Sequence, residues 1–168
     1  MSHPTSPIRP SRLPSLGPHG EGWVAIQLAF LVVVAASGLV GGSDWGGPAA
    51  ALTAFLGLAL MIAGAALLAR GLIDLGDNLT PLPYPRDGAR LVRSGVYALV
   101  RHPLYAGLAL TAFGWGLVSA SALTLALAAL LAAFFDLKAR REEAWLRERH
   151  ADYAAYASTT RRFVPGLY

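Results

Sequence analysis

The chain has 168 residues, 55% of them hydrophobic and 14% charged, with 14 Lys and Arg against 10 Asp and Glu. A water-soluble domain carries about 25% charged residues, so much of this surface is suited to lipid rather than water. The lack of cysteine excludes disulfides, thiol nucleophiles and thiolate metal sites, and the net charge of +4 flanks apolar runs instead of forming an aromatic-interleaved stripe, which assigns it to anionic headgroups and not to nucleic acid.

Residues 1–22, rich in Pro, Ser and Gly, read as a mobile cytoplasmic tail. Trp23 to Val40 is uncharged, with Gln27 as its strongest polar residue, and Ala49 to Ala69 is uncharged up to Arg70. A helix crossing a bilayer core needs about 20 apolar residues, so residues 23–70 supply an N-terminal pair of spans. Arg9 and Arg12 with Ala35-Ala36-Ser37 also mimic a cleavable leader, but the apolar run is long for one. Leu104 to Val118 and Ala122 to Phe135 are shorter, and the break at Ser119 to Ser121 makes them a tight helical hairpin. Backbone polar groups in hydrocarbon must be satisfied within the segment, so all four runs are helices. The fold class is therefore all-α, a polytopic membrane protein of four transmembrane helices, with residues 71–168 as a core of polar segment, hairpin and amphipathic tail. Gly57 and Gly64 in the second run, and Gly107 with Thr111 in the third, let helices approach closely.

Lys and Arg placement orients the spans. Arg9 and Arg12 precede the first, Arg70 to Arg101 lie between the second and third, and Lys138 to Arg162 follow the fourth. With an even number of spans these segments share one side. The loops around Asp44 and Ser119 carry neither residue type. Both termini are expected in the cytoplasm, and the expected setting is a bacterial inner membrane.

Two segments carry chemistry. Thr80 to Arg86 holds Pro81, Pro83 and Pro85 and reads as extended. It leads through Tyr97 to Arg101-His102-Pro103-Leu104-Tyr105, where Pro103 suits the first position of a helix and His102 its cap. Such a helix start welcomes an anionic group. Arg101 snorkelling and tyrosines anchoring at the interface are the plainer account of the same residues. The second segment is Phe134 to Leu146. If the helix continues past the bilayer, Lys138 and Glu142 share a face, and Asp136 and Lys138 sit where ionisable groups are costly. A solvated helix laced with weak ion pairs is the plainer account here. Tyr153, Tyr156, Arg161, Arg162, Phe163 and Pro165 suggest a tail lying against headgroups, with no site role from spacing alone.

The stretch LVRSGVYALVRHPLYAG, then an apolar hairpin, then FFDLKARREEAWL and YAAY, resembles the isoprenylcysteine carboxyl methyltransferase family of integral membrane enzymes, a pattern much shared by phospholipid N-methyltransferases. The resemblance covers roughly Asn78 to Pro165. It implies an S-adenosylmethionine-dependent methyltransferase whose cofactor pocket lies between the C-terminal hairpin and the neighbouring polar segments. By position, Arg90, Leu91 and Val92 correspond to a segment lining that pocket. Tyr97 corresponds to the tyrosine after the family's glycine, and His102, Pro103, Leu104 and Tyr105 to its HPxY cofactor contacts. Glu142 corresponds to the glutamate holding the cofactor, near its amino group. Lys138 stands where the carboxyl methyltransferases place a substrate arginine; lysine keeps the charge but not the planar two-pronged grip. The implied partners are a lipidic or prenylated acceptor and membrane lipids. No metal is implied, since His3, His19, His102 and His150 are not spaced as a ligand set. Carboxyl methylation leads, with N- or S-methylation of a phospholipid or small molecule next. A non-catalytic membrane protein and a membrane reductase are the other classes, separable by S-adenosylmethionine binding and by nicotinamide binding.

Overall fold

The computed structural model describes residues 13–42, 45–80, 82, 84, 88 and 90–168. Among the described residues five α-helices follow in order: α1 (Glu21–Val40), α2 (Pro48–Leu75), α3 (Pro103–Val118), α4 (Ala122–Arg149) and α5 (Tyr153–Thr159). No strand occurs among the described residues. The helices α1, α2 and α4 are long and apolar enough to cross a membrane, and α3 is a shorter apolar helix. At 16 residues α3 spans about 24 Å. Leu39, Phe55 and Ile62 are exposed on the outer faces of α1 and α2, a display that suits lipid and not water. This is an all-α polytopic membrane fold.

Glycine sets the distance between α2 and α3. The buried residues of α2 are Gly57, Gly64 and Gly71, seven apart and therefore nearly in line along one face. A Cβ on Gly64 would stand 2.6 Å from the Gly107 carbonyl oxygen, and one on Gly114 would stand 2.5 Å from that of Gly57. Backbone touches backbone along this seam, as it does where small residues face each other in lipid.

The hairpin between α3 and α4 turns at Ala120, whose φ is 49°. Ser121 then caps α4 by accepting the Thr124 amide at 3.2 Å. Against α4 lies α1, with Trp23 and Phe30 both packed on Phe134, at 5.6 and 5.5 Å between ring centroids. Of the expected tail 1–22, residues 1–12 lie outside the described residues. The remainder folds against the start of α1, where the Pro14 carbonyl accepts from the Trp23 indole at 3.2 Å.

Two helices run further than their apolar runs. α2 continues six residues past Ala69, and α4 continues fourteen past Phe135. That continuation puts Lys138, Glu142 and Glu143 on regular helix. Of the expected extended segment Thr80 to Arg86, Pro81, Pro83, Pro85 and Arg86 lie outside the described residues.

Candidate functional site

The end of α2 fixes the polar segment that follows. Asp74 accepts the Val96 amide at 2.8 Å and pairs with Arg70 at 2.9 Å. Its carboxylate occupies the space a side chain on residue 95 would need: a Cβ there would lie 2.0 Å from an Asp74 oxygen. With φ of 61° as well, position 95 admits only glycine. The turn that follows, Gly95–Ala98, delivers a buried Tyr97.

The chain after α5 closes on the start of α3. Arg101 and His102 donate their backbone amides to the carbonyls of Arg161 and Arg162, at 2.8 and 3.1 Å. The amides ahead of Pro103 are thus taken by the chain itself. Pro103 is the first residue of α3 and His102 its cap, as the sequence implies.

Beneath this closure lies a buried charge network centred on Glu143, which is 1% exposed. Its carboxylate accepts from Arg101 Nε at 3.0 Å, His102 Nε2 at 3.2 Å, Arg147 at 3.3 Å and Arg162 at 3.0 and 3.1 Å. Arg101 reaches on to the carbonyls of Ala157 and Thr160, and Arg162 to Asp136 at 2.8 Å. These are charge-assisted bonds, stronger than neutral ones. Arg101 is therefore an internal strut instead of a snorkelling side chain, and this stretch of α4 is not simply a solvated face.

Glu142, the preceding residue, points elsewhere because successive helix positions are rotated by about 100°. It accepts the Tyr105 hydroxyl at 2.9 Å and lies 3.7 Å from His102 Nδ1. One imidazole thus stands between two carboxylates. The His102 ring stacks on Tyr105 at 5.4 Å, and Tyr105 on Phe135 at 5.0 Å. Lys138, one turn before Glu142, is also 1% exposed. Its ammonium donates to the Gln27 side-chain oxygen from α1 and lies 5.1 Å over the Tyr105 ring.

Glu142 and Lys138 face a cavity of about 310 Å³. All ten residues singled out from the sequence line it: Arg90, Leu91, Val92, Tyr97, His102, Pro103, Leu104, Tyr105, Lys138 and Glu142. Gln27, Arg101, Tyr153 and Tyr156, to which the sequence gives no site role, line it as well. Tyr153 is 1% exposed, and its hydroxyl has no hydrogen-bond partner among the described residues. Burial, reinforced by the Glu142 charge, holds the Tyr97 phenol well above its ordinary range. Burial raises Tyr153 in the same way and pushes Tyr156 up to about 12. These phenols are neutral donors at physiological pH, and Tyr156 uses its proton to bond the Tyr97 carbonyl at 2.6 Å.

A model of the family described as phospholipid methyltransferase matches residues 52–152, more than half of the chain. The chain belongs to this family. Together with its helices long and apolar enough to cross a membrane, the match points to an integral membrane protein. The matched stretch holds the ten residues above and leaves α1 and the C-terminal segment outside. The chain is also similar to the cobalt-zinc-cadmium resistance protein CzcN of Cupriavidus metallidurans, 37% identical over 83 residues. That alignment covers 49% of this chain and 38% of CzcN, so the chain spans well under half the length of that relative.

Proposed function

We propose that this protein transfers a methyl group from S-adenosylmethionine to an acceptor dissolved in the membrane, with a carboxylate of the isoprenylcysteine type as the leading acceptor. One observation carries the reading. A single cavity at the rim of the membrane helices holds one carboxylate and one ammonium about 6 Å apart along α4, each kept in place by different partners. The carboxylate suits a cationic donor and the ammonium an anionic acceptor.

The lining fits the cofactor. A cavity of about 310 Å³ is at the lower end of the range that takes small ligands. Leu91, Val92, Leu104 and Leu146 give it apolar walls, and the Tyr153 hydroxyl is a buried polar atom with no partner among the described residues. Glu142 would hold the amino group, Arg90 the carboxylate, and the Tyr97 and Tyr105 rings would face the cation. When bound, S-adenosylmethionine supplies a methyl group on a positively charged sulfur.

The chain's own residues then have three tasks. Tyr105 and His102 fix Glu142, so the donor end of the cavity is shaped before a ligand arrives. Lys138 orients an anionic acceptor towards it. The apolar walls exclude water, which leaves alignment as the main source of rate. A carboxylate acceptor is already ionised, so no general base is required. The phenols held neutral by burial are consistent with that division of labour.

Every Lys and Arg falls on one side of the four helices in the sequence, which supports a cytoplasmic placement for both termini and the cavity mouth. The deciding experiment uses the detergent-solubilised enzyme with methyl-labelled S-adenosylmethionine and total membrane lipid, followed by mass analysis of labelled products. A labelled lipid ester is the expected result. A labelled amine would support a second reading, phospholipid N-methylation, which the family's description favours. No saturable S-adenosylmethionine binding would refute both.

A further inference from the structure

Gln27 is the strongest polar residue of the uncharged run Trp23 to Val40, and it lies on the face of α1 that packs against α4. Trp23, Gln27, Phe30 and Val34 fall four, three and four residues apart, the spacing of one helical stripe. Trp23 and Phe30 on either side both pack on Phe134. A glutamine in such a stripe needs a partner, and its side-chain oxygen takes the buried Lys138 ammonium. Gln27 and Lys138 both line the cavity.

What the pair leaves unused identifies its ligand. An ammonium carries three N–H donors, and Lys138 spends one on Gln27, with no second acceptor among the described residues. With its oxygen committed, Gln27 presents an amide NH2 that also has no hydrogen-bond partner among them. Charge from one residue and a directional neutral donor from the other stand side by side. Lysine alone is a point charge, whereas the pair offers two donors to two oxygens.

We propose that Gln27 and Lys138 form the acceptor subsite and that it selects a carboxylate, one oxygen on the ammonium and the other on the amide. This rests on the methyl-transfer reading of the cavity. As an acceptor oxygen forms its bond to the methyl carbon, the bond from that carbon to sulfur breaks. The electron pair stays on sulfur, which becomes a neutral thioether, and no proton moves. The neutral ester then no longer attracts Lys138, which favours its return to lipid.

The test is binding of N-acetyl-S-farnesylcysteine and of its primary amide to the detergent-solubilised full chain, alongside S-adenosylmethionine binding. The wild type is expected to prefer the carboxylate at least tenfold. Gln27→Leu should weaken carboxylate binding about tenfold, the loss of one hydrogen bond to a charged group, and leave the amide unchanged. Gln27→Glu keeps a partner for Lys138, so folding is preserved, and should abolish the preference. Both variants should bind S-adenosylmethionine normally. An unchanged preference in Gln27→Leu, or no preference in the wild type, would overturn the subsite. Loss of S-adenosylmethionine binding by the wild type would overturn the proposed function instead, and the carboxylate comparison would still decide the subsite.

Discussion

Neighbouring glutamates on one helix should respond to the same substitution in opposite ways. Glu143 accepts five hydrogen bonds from Arg101, His102, Arg147 and Arg162 and is 1% exposed. Removing one member of a buried charge cluster costs about 3–5 kcal/mol, because partners are left in low dielectric without their counter-charge. Arg101 keeps two carbonyls and Arg162 keeps Asp136, so the lower end of that range applies to Glu143→Ala. For a chain of this size about 3 kcal/mol corresponds to a fall in Tm of roughly 6–12 °C. Glu142→Ala removes a carboxylate bonded to Tyr105 at the cavity wall, and should move Tm far less while weakening S-adenosylmethionine binding tenfold or more. Thermal unfolding in detergent, followed by tryptophan fluorescence, and calorimetric binding measure both effects on the same samples. Equal Tm values for Glu143→Ala and wild type, or an equally large fall for Glu142→Ala, would refute this division of roles.

Four other outcomes follow from the geometry. Lys138→Ala should reduce turnover of a carboxylate acceptor more than it reduces cofactor affinity; the reverse order in steady-state and binding measurements would remove Lys138 from the acceptor side. Gly64→Leu forces side-chain atoms into the space held by the Gly107 carbonyl and Thr111, and should cost about 1–3 kcal/mol in unfolding experiments. It should also weaken ligand binding, because Leu68, Leu72 and Leu75 beyond it line the cavity. Folded-state pKa values of Tyr97, Tyr153 and Tyr156 lie above that of an unfolded tyrosine, so above about pH 10 the unfolded chain loses protons first and Tm should fall steeply. Since the chain has no cysteine, single cysteines at the exposed Gly46 and Ser158 report topology directly. An impermeant maleimide should label them from opposite sides of the membrane.

The helices and the lining of the cavity were legible because they depend on local signals. Uncharged runs and their bounding arginines gave α1 to α4, and Pro103 marked the start of α3 from its own chemistry. The glycines at 57, 64 and 107 mark close helix contacts by their size alone, and each meets backbone of the facing helix. What was not legible depends on the return of distant chain. Nothing local tells that residues 161 and 162 cap the segment before Pro103, and without that closure Arg101 and Glu143 have no reason to meet. The resemblance picks Glu142 from the paired glutamates, but the burial of Glu143 against Arg162 depends on how α4 meets the C-terminal segment. Gln27 stood out as a polar residue in an apolar span, and its partner lies 111 residues away.

The division between local and distant elements also separates the two ends of the cavity. Residues 52–152 carry Arg90 to Tyr105, Lys138 and Glu142, the groups proposed to hold the donor and the charge that meets the acceptor. Gln27 and Tyr153 reach the same cavity from outside that stretch, one from α1 and the other from α5. Proteins that share the central stretch can therefore keep one donor site and still differ in the groups that complete it. Replacing α1 with an unrelated apolar helix lacking glutamine should thus spare S-adenosylmethionine affinity and remove selection for a carboxylate. Loss of both together would mean that α1 supports the whole cavity, and that acceptor choice cannot be separated from the donor site.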